Sequence, residues 1–377
     1  MGTKRPDAPG TPDGPRTPGP AGTPDAAAGT PGTTGAAAAS DPYAEAAAGH
    51  RRALVRELIG AGELADPAWR AAFEEVPRHL FVPFYYLGVM GGYERLTRDD
   101  PDPGRRARWL AGAYEDRPLA TLLRDGELVS SSSQPSLMAA MLAALEVRDG
   151  DRVLEIGAGT GYNAALLGHR LGDDRVTTVD LDEEITGPAR ERLAAAGHHP
   201  AVLTGDGALG CPGRAPFDAI VATCTLPSVP PAWVGQCRPG ARILAPLSTG
   251  LIRLRVREPD SDSTAGPGAA PGHAEGRFLR TSAYFVQLRG GATGPAPPVR
   301  TGGLTRSATE NELFRFLLTL TAGTLDPREA YALWQREGRP ARERFGVTVR
   351  AGRQWAWLDD PEGPYSWPLG TDGGAGR

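Results

Sequence analysis

Two groups of residues in this sequence are typed and spaced for chemistry. The first is a hydroxyl run, Ser130-Ser131-Ser132-Ser133, which leads straight into Gln134-Pro135 and an apolar helical pattern, SLMAAML. The second is E-I-G-A-G-T-G, where Glu155 stands just ahead of Gly157, Ala158 and Gly159, with Asp180 and the pair Asp206-Gly207 further on. A serine run on its own reads as a spacer. Close to a ligand-binding turn, hydroxyl and backbone N–H donors can instead hold a carboxylate without adding a second nucleophile. A carboxylate is already ionised near pH 7, so attack by it needs positioning and desolvation rather than proton removal. No Cys, His or Lys stands out as a base. His79 falls in a Pro-bracketed turn and His198-His199 in a helix-to-strand loop, where histidines are expected to be solvated.

The glycines and acids need a frame to bring them together, and the middle of the chain supplies one. RVLEI is an apolar strand ahead of the glycine turn, and RVTTVD is a second that ends at Asp180. PAVLTGDG predicts a third ending at Asp206-Gly207, FDAIVATC a fourth, and GARILAPLS a fifth after a Pro239-Gly240 turn. Strands alternating with helical patterns predict an α/β fold with a mostly parallel sheet covered on both faces. Ligands bind such sheets beyond the carboxyl ends of the strands, which is where Glu155, the glycines, Asp180 and Asp206 fall. Glycine lets the backbone approach a ligand closely, and an acid about twenty residues on suits a ribose diol. Asp206 can accept from an adenine amino group. A dinucleotide would bring a pyrophosphate that Glu155 repels, whereas S-adenosylmethionine brings an ammonium and a sulfonium that an acidic rim attracts. The combination resembles the class I S-adenosylmethionine methyltransferases, Rossmann-like in fold, and implies that cofactor. The candidate cofactor-binding residues are Glu155, Gly157, Ala158, Gly159, Asp180, Leu181, Asp206, Gly207 and Thr223.

The rest of the chain bounds this reading. Residues 1–40 are almost wholly Pro, Gly, Ala, Thr and Asp, with too little apolar surface to offset the entropy of ordering, so a disordered tail is expected. Neither an uninterrupted apolar signal-peptide core nor an apolar stretch of membrane-spanning length is present, which predicts a cytoplasmic protein with no membrane partner. A formal net charge of −4 gives no sign of a nucleic-acid surface, and PGRRARW at 103–109 reads as a solvated basic face. Cys211, Cys224 and Cys237 are odd in number and lack close Cys/His partners, so neither a disulfide framework nor a metal site is expected. YAEAAAGHRRALVRELIGAG and DPAWRAAFEEV predict two helices, the second capped by Asp66 with Pro67 at its first position. Residues 84–113 read as an inserted loop or small subdomain. After the sheet, RFLRTSAYFVQLRG predicts another strand and TENELFRFLLTLTAG an apolar helix. RFGVTVRAGRQWAWLDDPEGPYSWPLG predicts strands of a small α+β unit, whose Trp355, Trp357 and Trp367 are expected to pack its core rather than form a peptide-binding face. The expected division is a tail (1–40), an N-terminal helical and substrate-turn region (41–150), a methyltransferase core (151–290) and a C-terminal extension (301–377), the last a candidate for peptide recognition.

VPRHLFVP, then AYEDRPL, then SSQPSLMAAML just ahead of the cofactor strand resemble, in that order, the protein-L-isoaspartate O-methyltransferase family. The resemblance runs from Leu54 to Leu254. It implies that the Ser-Gln-Pro turn lies over the methyl donor and that Ser133, the matching position, contacts the substrate carboxylate, with Ser131 and Ser132 as helpers. It also implies that Thr223 to Pro227 line the acceptor pocket. The approach to the turn departs from the family's Pro-Ile-Gly-x-Gly-Gln-Thr-Ile-Ser: this chain has LATLLRDGELVSSSSQP, with Ser132 in the usual apolar place. A serine-rich turn with such an extension resembles the branch associated with ribosomally made, modified peptides, the lanthipeptides and graspetides. That branch implies methylation of an ordinary Asp in a constrained precursor peptide, ring closure to a succinimide with loss of methanol, and then hydrolysis to isoaspartate. The alternatives are repair methylation of isoaspartate in damaged proteins, a non-catalytic cofactor-binding protein that delivers a peptide, and a nucleic-acid methyltransferase. The last lacks the Asn/Asp-Pro-Pro-aromatic motif, since the fourth strand ends in ATCTLP.

Overall fold

Of the three N-terminal helices, only the second starts on a side-chain cap with proline at its first position. The computed structural model describes residues 41–90, 92–258, 273–291 and 298–370. Helix α1 (Ala44–Gly60) buries Leu54, Val55 and Leu58. Helix α2 (Pro67–Glu75) starts where expected, with the Asp66 carboxylate accepting from Ala68 N at 2.7 Å, a cap worth about 1 kcal/mol. A single turn, α3 (Arg78–Phe81), follows. His79 on it is not solvated. It is 2 % exposed, and its ring is hydrogen-bonded to the Tyr114 hydroxyl at 2.7 Å.

The region expected as an inserted loop or small subdomain is built of regular elements. β1 (Phe84–Val89) and β2 (Gly92–Thr97) form an antiparallel hairpin, and α4 (Pro103–Gly112) starts on an Asp102 cap. α4 carries the basic cluster, only part of which faces solvent. Arg105 and Arg108 pair with Glu94, while Trp109 is buried and donates to the Val82 carbonyl at 2.8 Å. β3 (Leu119–Arg124) and β4 (Glu127–Ser132) complete a small sheet in the order β2-β1-β3-β4. Most of the serine run is therefore strand. Ser130, Ser131 and Ser132 lie opposite Leu122, Ala120 and Leu119, and only Ser133 and Gln134 turn into α5 (Pro135–Leu145). The alternation of a strand turns Ser130 and Ser132 inward, 7 % and 3 % exposed.

The central layer is built from β5 (Val153–Ile156), α6 (Tyr162–Leu171), β6 (Val176–Asp180), α7 (Glu183–Ala195), β7 (Ala201–Thr204), β8 (Phe217–Ala222), α8 (Pro231–Gly235), β9 (Cys237–Leu247), β10 (Gly250–Arg257) and β11 (His273–Ser282). The third predicted strand stops at Thr204, and Asp206 instead caps a 3₁₀ turn over Gly207–Leu209. β9 starts earlier than its pattern suggests and carries Pro239-Gly240 within it. β7, β6, β5, β8 and β9 pair in parallel. The β5 residues are all buried, as a continuous apolar run in a parallel sheet requires. Val153 points to a core shared with α1, α2, α5 and α6. Leu154 points to the opposite core, which α8 and the C-terminal helices cover.

The chain then turns antiparallel. After α9 (Arg306–Glu310), α10 (Glu312–Leu320) and α11 (Pro327–Arg336) come β12 (Phe345–Arg350), β13 (Arg353–Leu358) and β14 (Ser366–Pro368). β12 pairs with β11, so a single ten-stranded sheet runs β14-β13-β12-β11-β10-β9-β8-β5-β6-β7. The aromatic side chains Phe278, Phe316 and Phe345 stack edge-on at 4.8 and 5.4 Å where α10 lies on this half of the sheet. Trp357 and Trp367 are 2 % and 5 % exposed, which gives them the packing role expected, whereas Trp355 is only half-buried. Gly346 leaves room for the Trp357 ring, which a Cβ there would strike. α11 was not predicted, although its Asp326…Glu329 capping box is a sequence-level start signal. Of the segment 260–276, which reads as a loop, the last four residues belong to β11, and the rest, like the expected tail at 1–40 and part of the linker at 294–303, lies outside the described residues. Among the described residues no helix is long and apolar enough to cross a membrane.

Candidate active site

The order of the parallel strands sets the position of the site. From β5 the chain winds outward through β6 and β7, then returns to place β8 on the other side of β5. The carboxyl ends of β5 and β8 therefore diverge into a crevice. The glycine turn fills its floor. Gly157 has φ +100°, and a Cβ there would lie 2.5 Å from the Thr223 hydroxyl, which donates to the Gly157 carbonyl at 2.8 Å. Gly159, at φ +50°, sits against the Ser131 carbonyl and the Ser130 hydroxyl. Gly157 thus serves both the backbone conformation and the close approach of Thr223, whereas Gly159 serves the conformation, β4 lying at ordinary contact distance.

Asp180 closes one end. Its carboxylate accepts from Gly159 N at 3.1 Å and Leu181 N at 2.9 Å. Its side chain is 11 % exposed, and burial raises its pKa above the usual carboxylate range. Opposite lies the segment after β11, laid against the end of β8. Thr225 N donates to the Val286 carbonyl at 2.8 Å, and Leu288 N donates back to the Thr225 carbonyl at 2.9 Å. This segment carries Arg289, whose guanidinium reaches Asp182 Oδ2 at 2.6 Å and Asp180 Oδ1 at 3.7 Å. The cleft between these walls is lined by Gly157, Gly159, Asp180, Leu181, Gly207 and Thr223 together with residues 286–289.

Several predicted cofactor residues lie behind the cleft rather than in it. Glu155 is fully buried beneath the glycine turn, with Oε1 accepting from Asn163 Nδ2 at 2.7 Å. Burial pushes its pKa up to about 7, against the pull of Thr178 and Asn163. It is not a rim residue, because every β5 side chain is enclosed by the sheet's neighbours. Ala158 is 4 % exposed and does not line the cleft. Asp206 accepts from Ala208 N at 2.9 Å. Gly290, at φ +144°, lies so close to Asp206 that any side chain there would strike its carboxylate.

The serines separate by role. Ser131 lines the cleft and also a second cavity of about 420 Å³ beside it. Ser133 lines this second cavity with Gln134, Ser136, Thr281, Ser282 and Tyr284. Ser132 faces away from both, and its hydroxyl accepts from Arg78 Nη2 at 3.3 Å. Two residues that sequence reasoning left without a role hold this turn. Arg78, fully buried, donates to the carbonyls of Ala113, Glu115, Arg117 and Ser133 at 3.1, 3.2, 3.3 and 3.0 Å. Asp116 accepts from Gln134 Nε2 at 3.0 Å and Ser136 N at 2.8 Å. Both belong to the VPRHLFVP and AYEDRPL stretches, so the motifs marked them without giving their task.

The buried Cys211 and Cys224 and the half-buried Cys237 are free thiols. Burial raises the pKa of Cys224 and takes that of Cys237 to about 12, which keeps these two thiols protonated near neutral pH.

Comparison with known proteins places these features. The family model described as Protein-L-isoaspartate(D-aspartate) O-methyltransferase (PCMT) matches residues 105–264. The chain is 38% identical over 213 residues to the protein-L-isoaspartate O-methyltransferase of Methanoculleus marisnigri, covering 55% of this chain and 83% of that one. It is 40% identical over 188 residues to the one from Anaeromyxobacter dehalogenans, covering 47% and 86%. A solved protein-L-isoaspartate O-methyltransferase superposes with a TM-score of 0.55 at 23% identity, covering 84% of this chain and 98% of that one. That superposition shows the class I methyltransferase fold. The glycine cradle, the Asp180 carboxylate and the hydroxyl-bearing β4 above them fit S-adenosylmethionine, the cofactor of this group of enzymes.

Proposed function

Because this chain belongs to the protein-L-isoaspartate O-methyltransferase family, and so is an S-adenosylmethionine-dependent protein carboxyl O-methyltransferase, we propose that its acceptor is an ordinary Asp side chain in a ribosomally made, modified and conformationally constrained precursor peptide. The cofactor supplies an electrophilic methyl group on a sulfonium. One carboxylate oxygen of the acceptor forms the new C–O bond while the C–S bond breaks, the electron pair goes to sulfur, and no proton moves. The chain's own residues position rather than activate. Ser131, at the junction of cleft and cavity, and Ser133 beyond it donate hydrogen bonds to the acceptor carboxylate, and the glycine turn and Asp180 fix the donor's ribose side. The ester is then attacked by the backbone nitrogen of the next residue. That nitrogen loses its proton, methanol leaves, and a succinimide remains that water opens to isoaspartate. A constrained peptide favours the closure by holding the nitrogen near attack geometry.

The observation that carries this reading is the acceptor cavity. At about 420 Å³ it takes a side chain with part of its backbone surroundings. Its described lining is hydroxyls, one amide, apolar groups and Glu63, with no cation. The altered approach to Ser133 adds support, since it replaces the usual route into the isoaspartyl pocket. Recognition of the remaining peptide is proposed for the extension at 301–377, through surfaces other than the buried Trp357 and Trp367. Repair of isoaspartate in damaged proteins is the second reading, favoured by the 38% identity to an enzyme named for that substrate.

Mass spectrometry separates the two. One reaction holds an isoaspartyl peptide and the other a cyclised precursor peptide with normal Asp only, each with S-adenosylmethionine. Methyl gain followed by methanol loss on the second supports tailoring. Methylation of the isoaspartyl peptide alone returns the chain to repair.

A further inference from the structure

We propose that Arg289 sets how strongly the site discriminates S-adenosylmethionine from S-adenosylhomocysteine, by fixing a positive charge beside the acid that holds the cofactor's ribose. The inference rests on the ribose role proposed for Asp180. Arg289 is placed for it by backbone. Residues 286–288 are tied to Thr225 through both their carbonyl and N–H groups, so the base of the Arg289 side chain is pinned at the cleft wall. Its tip, 32 % exposed, spans two acids, 2.6 Å from Asp182 and 3.7 Å from Asp180. Arg124 reaches Asp182 from the other side at 3.6 Å and Glu184 at 3.0 Å. Cations from two separate elements thus converge on acids at the end of β6 and the start of α7, and the acidic end of the cleft is partly neutralised.

Cofactor and product differ by one methyl group and one unit of charge. The sulfonium, joined to the ribose through a single methylene, is positive in S-adenosylmethionine, and the corresponding thioether in S-adenosylhomocysteine is neutral. Every hydrogen bond to ribose, adenine or the amino-acid end is common to both. A charge beside the ribose is therefore felt chiefly by one of the pair, and a positive one weakens cofactor against product. Arg289 moderates a preference that the acids alone would make steeper. The open space in the cleft is also small, about 60 Å³, with Leu288 and Arg289 lining it.

The test is calorimetric titration of both ligands into the full chain, the Arg289→Gln variant and the Arg289→Lys variant, at low and high salt. Arg289→Gln is expected to raise the ratio of product Kd to cofactor Kd about three- to tenfold at low salt, the size expected for one unit charge in a partly exposed site. The gain should shrink as salt screens the cleft, and Arg289→Lys should stay near the parent ratio. An unchanged ratio in Arg289→Gln, or equal weakening of both ligands, overturns the proposal. Asp180→Ala, measured beside these, weakens both ligands if Asp180 holds the ribose. Unaltered affinities there overturn the ribose assignment and the inference built on it, whereas weakened affinities with an unchanged Arg289→Gln ratio overturn the charge role alone.

Discussion

Desolvation beneath the glycine turn lifts Glu155 from its ordinary value of 4.5 to about 7, and this makes it a pH-dependent element of stability. Between those two values the folded protein holds a proton that the unfolded chain has lost. The contribution of Glu155 is therefore fully present below about 4.5 and is lost as pH rises through about 7, an effect on the order of 3 kcal/mol. Glu155→Gln keeps an acceptor for Asn163 and cannot titrate. Its unfolding free energy should change less than the parent's between mildly acidic and alkaline pH, by about 2 kcal/mol or more. Denaturant melts at pH 5 and pH 8.5 read this directly, and parallel profiles for the two proteins would sink it. At this scale the sequence was legible in residue type and spacing but not in exposure. The glycines and Asp180 meet at one cleft as their spacing predicts, and Thr223, which only the family resemblance marked, joins them there. Glu155 lies behind it because its strand is fully enclosed, and Asp206, which caps a 3₁₀ turn, does not line it.

The element that matters most for the acceptor is β4 with the turn that follows, and it is held from outside itself. Arg78 donates across 35 to 55 residues of sequence, and burial lowers its pKa to about 10 without neutralising it at physiological pH. A guanidinium with mainly carbonyl partners carries no complementary charge pattern in the sequence, and for that reason its role was not readable there. Asp116 fixes the other side of the same turn. Asp116→Ala frees Gln134 and leaves Ser136 N without its acceptor, so a stability loss of about 1–3 kcal/mol is expected. The more telling expectation is kinetic: KM for the peptide should rise several-fold while the cofactor Kd stays near parent, because Asp116 touches the acceptor side only. Steady-state kinetics beside cofactor titration would refute this by finding the peptide KM unmoved, or both constants shifted together.

At the scale of the whole molecule, the parallel half of the sheet was plain from its alternating strands and helices, while the joining of the C-terminal strands to it was not. Alternation in β12 and β13 predicts strands, but pairing with β11 is a long-range choice that local pattern does not encode. That pairing makes the extension part of one core. Deleting residues 301–377 would leave the ten residues of β11 as an open edge and uncover Phe278, so the shortened protein is expected to aggregate. Soluble yield and size-exclusion profile test this, and a soluble monomer that melts like the parent would contradict it. The hydroxyl-lined acceptor cavity has a further consequence, for traffic rather than for architecture. A guanidinium would grip a carboxylate and release its methyl ester, drawing scarce substrate in and driving product out. Hydroxyls distinguish the two far less, so the ester lingers and competes with fresh acceptor. On the proposed acceptor chemistry, such a site works best on a peptide supplied in abundance close at hand, and poorly as a scavenger of rare lesions scattered through a proteome.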